Sequence, residues 1–178
     1  ITAINTWEYS DVVIGHGSIG AEIMEQAPDV EVVLVPISSG GLIAGIATAV
    51  KTLKPAVQVV GVQPEGSQAM YQSFQKKELC EVPEPKTVCD ALVAPRPGAL
   101  PFELVKKYVD DVVLVSDEQA IDAIRILIST TKLVVEPGGA VGVAAMLNGV
   151  VDVKGKKVVA LLSGGNIEPA QLGGYLAT

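Results

Sequence analysis

Aromatic residues are scarce: two Phe, four Tyr and one Trp make up 4% of the 178 residues. The interior therefore has to be built from Val, Ile, Leu and Ala, a composition suited to a parallel sheet covered on both faces. Charge is sparse as well. Charged residues are 19% of the chain against 49% hydrophobic, which excludes a disordered polymer. Thirteen Lys and Arg face 20 Asp and Glu, for a net charge of −7, and basic residues gather only at Lys154, Lys156 and Lys157. That balance argues against binding to nucleic acid. No apolar run reaches the length of a bilayer span, and the first residues lack the basic start and apolar centre of a secretory signal. The expectation is a cytoplasmic protein without a membrane partner. The two cysteines, Cys80 and Cys89, have no metal-ligating partners at suitable spacing and read as reduced thiols. The single histidine, His16, would have to serve every Ser-His-Asp or His-metal scheme, and no G-x-S-x-G elbow is present. For His16 the plain reading is a polar residue in a helix-entry loop.

What is present is a repeating strand-loop-helix order. Residues 30–37 (VEVVLVPI) form a near-continuous β-branched run, the mark of a buried strand. Residues 42–53 carry small and apolar side chains at helical spacing, stopped by Lys54-Pro55. Residues 57–62 predict a second strand and residues 68–77 a helix. Pro83, Pro85, Pro95, Pro97 and Pro101 punctuate residues 79–101, read as a long ordered connection. Pro101 suits the first residue of a helix ending at Tyr108. Residues 111–115 predict a strand. Ser116 with Gln119 three positions later has the form of a capping box opening a helix to about Thr131. Glu136-Pro137-Gly138-Gly139 is expected to break the chain before a small-residue helix over 140–147. Residues 157–162 predict a last core strand, and a final helix begins near Pro169. The whole of residues 1–178 reads as one α/β domain, a doubly wound, mostly parallel sheet with helices on both faces.

Ligands of such sheets bind beyond the carboxyl ends of the strands. Two turns there are rich in small residues. Ser38-Ser39-Gly40-Gly41, followed by Leu42, joins a strand to a helix. Its amides and the positive end of the helix dipole fit a phosphate, and a ligand-free βα turn is the alternative. Ser163-Gly164-Gly165-Asn166 follows another strand and turns a neutral hydroxyl toward the cleft, or else caps a helix. A third segment, Gly15-His16-Gly17-Ser18-Ile19-Gly20, matches G-x-G-x-x-G after the short apolar run 12–14. A dinucleotide site would need an acidic residue ending the next strand, which instead ends Leu34-Val35-Pro36-Ile37. The segment is therefore read as a glycine-eased helix start. Glu65 and Glu136 are read as solvated loop carboxylates.

Taken in order, these pieces resemble the fold-type II pyridoxal-phosphate enzymes, in particular the threonine dehydratase, serine dehydratase and serine racemase family. The resemblance rests on Gly15 through Ile23, on Pro36-Ile37-Ser38-Ser39-Gly40-Gly41-Leu42, on Gly61-Val62-Gln63-Pro64-Glu65-Gly66, on Asp90-Ala91-Leu92, on Val134-Val135-Glu136-Pro137, and on Leu162-Ser163-Gly164-Gly165-Asn166. It spans residues 11–166 and implies the large, cofactor-binding portion of such an enzyme. It further implies pyridoxal phosphate as cofactor, held by the amides of Ser38, Ser39, Gly40, Gly41 and Leu42, with Ser163 beside the pyridine nitrogen and Gly164 next to it. Glu136 would lie near the cofactor. The implied reaction is β-elimination from a small hydroxy amino acid, giving a 2-oxo acid and ammonia; racemisation is the alternative, and a non-catalytic phosphate-ligand domain is a further one.

Four departures qualify what the resemblance implies. Ser38 and Ser39 stand where relatives usually carry glycine, and a serine forced to positive φ would strain the loop. Ala91 stands where glycine is common, so its methyl would crowd the ring. Relatives with a divalent cation have carboxylates at the positions of Gln63 and Ala69, so no metal is expected. Finally, no Ser-Phe-Lys motif is present, so no residue of this chain is expected to act as the Schiff-base lysine, and Ile1 through Ser10 are unlike the usual lead-in. The chain is thus expected to be inactive alone, without the substrate-carboxylate loop of the small domain. Its partner is expected to be the N-terminal half of the enzyme or further copies of itself.

Overall fold

Alternation along one strand organises the molecule. The computed structural model describes residues 8–177. Strand β1 (Val32–Pro36) is buried along its whole length. Val32 and Leu34 point into one apolar cluster, Val33 and Val35 into the other. A strand buried on both sides needs apolar side chains at every position, which explains the unbroken run in the sequence. β1 pairs in parallel with β2 (Gln58–Pro64) on one side and with β4 (Val158–Ala160) on the other; β3 (Asp111–Val115) pairs in parallel with β2. The strand order is β3-β2-β1-β4.

Helix α1 (Ser10–Gln26), α2 (Gly41–Leu53), α3 (Ala69–Lys76) and α4 (Ala99–Tyr108) cover one face, contributing Ile43, Ile46, Met70, Phe74, Phe102 and Val105 to its core. Helix α5 (Asp117–Thr131), α6 (Pro137–Leu147) and α7 (Pro169–Leu176) cover the other, with Ala120, Ile124, Val141 and Ala144 buried against Leu34 and Val60. The doubly wound α/β expectation is met. The capping box is also present: Ser116 Oγ accepts from Gln119 N at 3.2 Å and Gln119 Oε1 accepts from Ser116 N at 2.9 Å, so two orphan amides of α5 are satisfied.

Three expectations are corrected. Residues 12–14 are helical, and the G-x-G-x-x-G segment lies inside α1 instead of opening it. Two of its glycines, Gly17 and Gly20, serve packing against α2, while Gly15 faces open space. A Cβ on Gly45 would stand 2.3 Å from the Val13 carbonyl oxygen and 2.7 Å from His16 Cβ, and one on Gly20 would stand 2.7 Å from the Ile46 carbonyl oxygen. Next, Pro137-Gly138-Gly139 does not precede a helix but forms its first turn, Pro137 supplying the pre-set φ of a helix start. Last, the strand expected over residues 157–162 shrinks to Val158–Ala160, a half-buried sheet edge and not a core strand. Its chain then leaves the ladder to enter the turn at Ser163.

The two glycines of the α1 and α2 contact differ from their exposed neighbour in a measurable way. Gly45→Ala is expected to destabilise the protein by about 1–3 kcal/mol, because its methyl meets backbone that cannot move aside. Gly15→Ala, in open space on α1, is expected to stabilise by about 0.5–1 kcal/mol. Urea unfolding of the two variants checks the contrast; equal effects would contradict the drawn helix contact.

Candidate functional site

The order β3-β2-β1-β4 reverses direction between β1 and β4. The chain leaves β1 toward α2 on one face, and leaves β4 toward α7 on the other. The two departing loops diverge, and a crevice opens between them. It is a cleft of about 640 Å³, lined from one side by Ser38, Ser39, Gly40, Gly41 and Leu42 and from the other by Leu161, Leu162 and Ser163. Ala91 and Leu92 of a 3₁₀ turn (Asp90–Leu92), Glu136 and Gly138, Pro36 at the end of β1, and His16 and Ile19 of α1 complete the wall. The volume lies within the range of pockets that hold small cofactors, about 300–1,000 Å³.

Gly40 sits in the left-handed region with φ +103°, and a Cβ there would stand 2.4 Å from Met70 Cε, so only glycine fits. Ser38 and Ser39 do not share that conformation. The strain expected of serine in this loop is therefore absent, since the one demanding position kept its glycine. The serines are instead tied into the scaffold. Ala94 N donates to Ser38 Oγ at 3.2 Å, and Gly98 N donates to the Ser39 carbonyl at 3.0 Å. Gln63, fully buried, accepts from Tyr71 N at 2.8 Å and donates to the Ser38 carbonyl at 3.4 Å. Its amide thus links the loop to α3. Residues 77–98 run over this end of the sheet as a buttress, pinned by Ser67 Oγ donating to the Leu92 carbonyl at 2.6 Å.

The amides of Ser39, Gly40, Gly41 and Leu42 donate to no acceptor among the described residues. Four unpaired donors at the start of a helix favour a negative group through both hydrogen bonding and the helix dipole. An anion-bearing ring the size of pyridoxal phosphate fits that donor set and the cleft beside it.

The opposite turn is fixed through Glu136, which caps α6. Its N–H donates to the Gly164 carbonyl at 3.1 Å, and its Oε2 accepts from Asn166 N at 2.8 Å. A Cβ on Gly164 would stand 2.4 Å from Glu136 Oε1. Glu136 is therefore a hydrogen-bonded clamp on the turn and not the freely solvated carboxylate that the chain pattern suggested. Ser163 is not a helix cap, since α7 is capped by Glu168; its side chain is exposed to the cleft. Gly164 lies behind it against Glu136. Glu65 is exposed beyond β2 and outside the cleft lining. Ala91 presents its methyl at the cleft. The contributions of Gln63 and Glu136 were missed by sequence reasoning, because each acts through a partner distant in the chain.

Cys80 and Cys89 are free thiols, Cys80 half-buried and Cys89 fully buried just before the 3₁₀ turn. Burial pushes the Cys89 thiol up from the ordinary 9.0 to about 12, with Asp117, Asp90 and Glu136 adding to the effect and the Thr87 hydrogen bond opposing it. Between pH 9 and 12 the unfolded chain loses this proton while the folded chain keeps it. Stability from Cys89 is therefore complete below pH 9 and falls as pH rises through that window, with a slope of at most about 1.4 kcal/mol per pH unit. Urea unfolding of wild type and Cys89→Ala at pH 8, 9.5 and 11 should show the wild type losing more stability; parallel losses would contradict a buried neutral thiol.

No helix among the described residues is long and apolar enough to cross a membrane. A family model described as "Pyridoxal-phosphate dependent enzyme" matches residues 1–164. An L-threonine ammonia-lyase of Thermotoga maritima is 50% identical over 157 residues, covering 88% of this chain and 39% of that protein. The processed form of threonine deaminase isoform 2 from Solanum lycopersicum superposes with a TM-score of 0.92 at 29% identity, over 98% of this chain and 51% of that one. Maize serine racemase superposes with a TM-score of 0.89 at 31% identity, over 98% and 54%. The chain spans about half the length of these relatives, or less.

Proposed function

Because this chain belongs to the pyridoxal-phosphate dependent enzymes, we propose that it is the large-domain portion of an amino-acid dehydratase, converting threonine or serine to a 2-oxo acid and ammonia. The observation that carries this reading is the convergence of the Ser39 to Leu42 amides and the Ser163 hydroxyl on one cleft at the switch between β1 and β4. The Thermotoga maritima ammonia-lyase, at 50% identity, supports the reaction class. Maize serine racemase supports a second reading, racemisation, at lower identity.

Within the dehydratase reading the amides of Ser39, Gly40, Gly41 and Leu42 grip the cofactor phosphate. Ser38 shapes the loop through its bond to Ala94. Ser163 meets the pyridine nitrogen, and Gly164 lets the turn close on Glu136. Pyridoxal phosphate held there would supply an electron sink for the Cα of the amino acid. A neutral hydroxyl at the nitrogen leaves that pull weaker than a carboxylate would, which suits expulsion of a β-hydroxyl. Leu162, Leu92 and Ala91 exclude water from the ring faces. No lysine lines the cleft among the described residues. In this reading the lysine that attaches to the cofactor comes from another segment of the enzyme, and this chain alone has no turnover. The partner is that segment or a further copy, and the setting is the cytoplasm, consistent with two free thiols.

The test uses the full-length protein with pyridoxal phosphate, threonine and serine. Formation of 2-oxo acid and ammonia is expected; the opposite enantiomer without 2-oxo acid would overturn the dehydratase reading in favour of the racemase. Ser163→Ala should weaken pyridoxal phosphate about tenfold, the order of one hydrogen bond to a charged or polarised group, and leave inorganic phosphate affinity unchanged. Equal losses for both ligands would remove Ser163 from the ring nitrogen.

A further inference from the structure

We propose that His16 is an additional ligand contact of this cleft, its Nε2–H donating to the cofactor phosphate. The inference rests on the cofactor reading above and extends it to a polar residue on α1, a helix that otherwise gives the cleft only the apolar Ile19. Three observations carry it. First, His16 lines the same cleft as Ser38 through Leu42. Second, its Nδ1 is buried without any hydrogen-bond partner. Nε2 is then the nitrogen left to meet a ligand. A proton on Nδ1 would be a buried donor with nothing to bond, whereas a proton on Nε2 can be satisfied from the cleft, so the Nε2–H tautomer is favoured.

Third, the helix contact aims the ring. Val13 and Gly17 flank Gly45, while Gly20 meets Ile46 and Ala49, so α1 and α2 run in the same sense. His16 Cβ stands where a Cβ on Gly45 would come within 2.7 Å, one helical turn past Gly41. Helical side chains lean toward the N-terminus of their own helix. On α1 that direction is also the direction of the α2 N-terminus, where the unpaired amides lie. The close glycine packing of α1 and α2 thus has a functional consequence. It brings an imidazole to a phosphate site that a bulkier interface would hold away.

The test is a titration of the full-length protein followed through the ring nitrogens of His16, assigned by the loss of their signals in His16→Asn. The Nε2–H tautomer is expected before ligand, with a shift of the Nε2 signal on adding inorganic phosphate that tracks the shifts of the Gly40 and Gly41 amides. Movement of those amides with a silent His16 would overturn this inference and leave the cofactor reading standing. If the amides also stay silent, both fall. Affinity supplies an independent readout. His16→Leu should lower the ratio of pyridoxal phosphate to pyridoxal affinity about tenfold, the weight of one hydrogen bond to an anion, and His16→Gln, which keeps an N–H donor, should restore most of it. A purely structural histidine would change stability in both variants and leave the ratio untouched.

Discussion

The reversal of strand order at β1 is the constraint on which the rest depends. A parallel strand paired on both edges and buried on both faces has no freedom of register, and β1 is fixed in that way by Val32, Val33, Leu34 and Val35. Its successor α2 goes to one face, while the chain that leaves β4 goes to the other. The gap between their loops cannot be filled by either connection. A pocket at this place is a consequence of topology, and the small residues around it determine what it accepts.

Both walls of the pocket are held by groups remote in sequence. The loop after β1 is fixed from below by Gln63, from the side by the Ala94 and Gly98 amides, and by the one left-handed glycine that Met70 and Pro101 crowd. The turn after β4 belongs to an edge strand only three residues long and has little sheet to hold it. Glu136 compensates with a backbone and a side-chain bond. An anion at the α2 N-terminus would therefore bind to donors already oriented, with little ordering left for the ligand to impose.

Much of this was legible in the chain. The β-branched run gave β1, Ser116 and Gln119 gave the start of α5, and the two small-residue turns marked the walls of the cleft. What was not legible follows from physics that a local pattern does not carry. G-x-G-x-x-G looked like a helix start because glycine disfavours helix interiors. Inside α1 that cost is outweighed by close approach to α2, a partner more than 20 residues away. Pro137-Gly138-Gly139 looked like a break for the same reason, yet Pro137 is well placed in a first turn, and Gly139 leaves room for the Gly164 backbone. Residues 161–162 have strand composition, and Leu161 N still donates to the Leu34 carbonyl at 3.0 Å, but the paired strand ends at Ala160 as the chain turns toward Ser163. The roles of Gln63 and Glu136 depend on bonds across the fold.

The most direct measurement is a crystal structure of the full-length protein with pyridoxal phosphate. The phosphate is expected within hydrogen-bond reach of the Ser39 to Leu42 amides and the pyridine nitrogen within reach of Ser163 Oγ. A cofactor whose phosphate and nitrogen do not span these two turns, or that lies outside the crevice between β1 and β4, would contradict it.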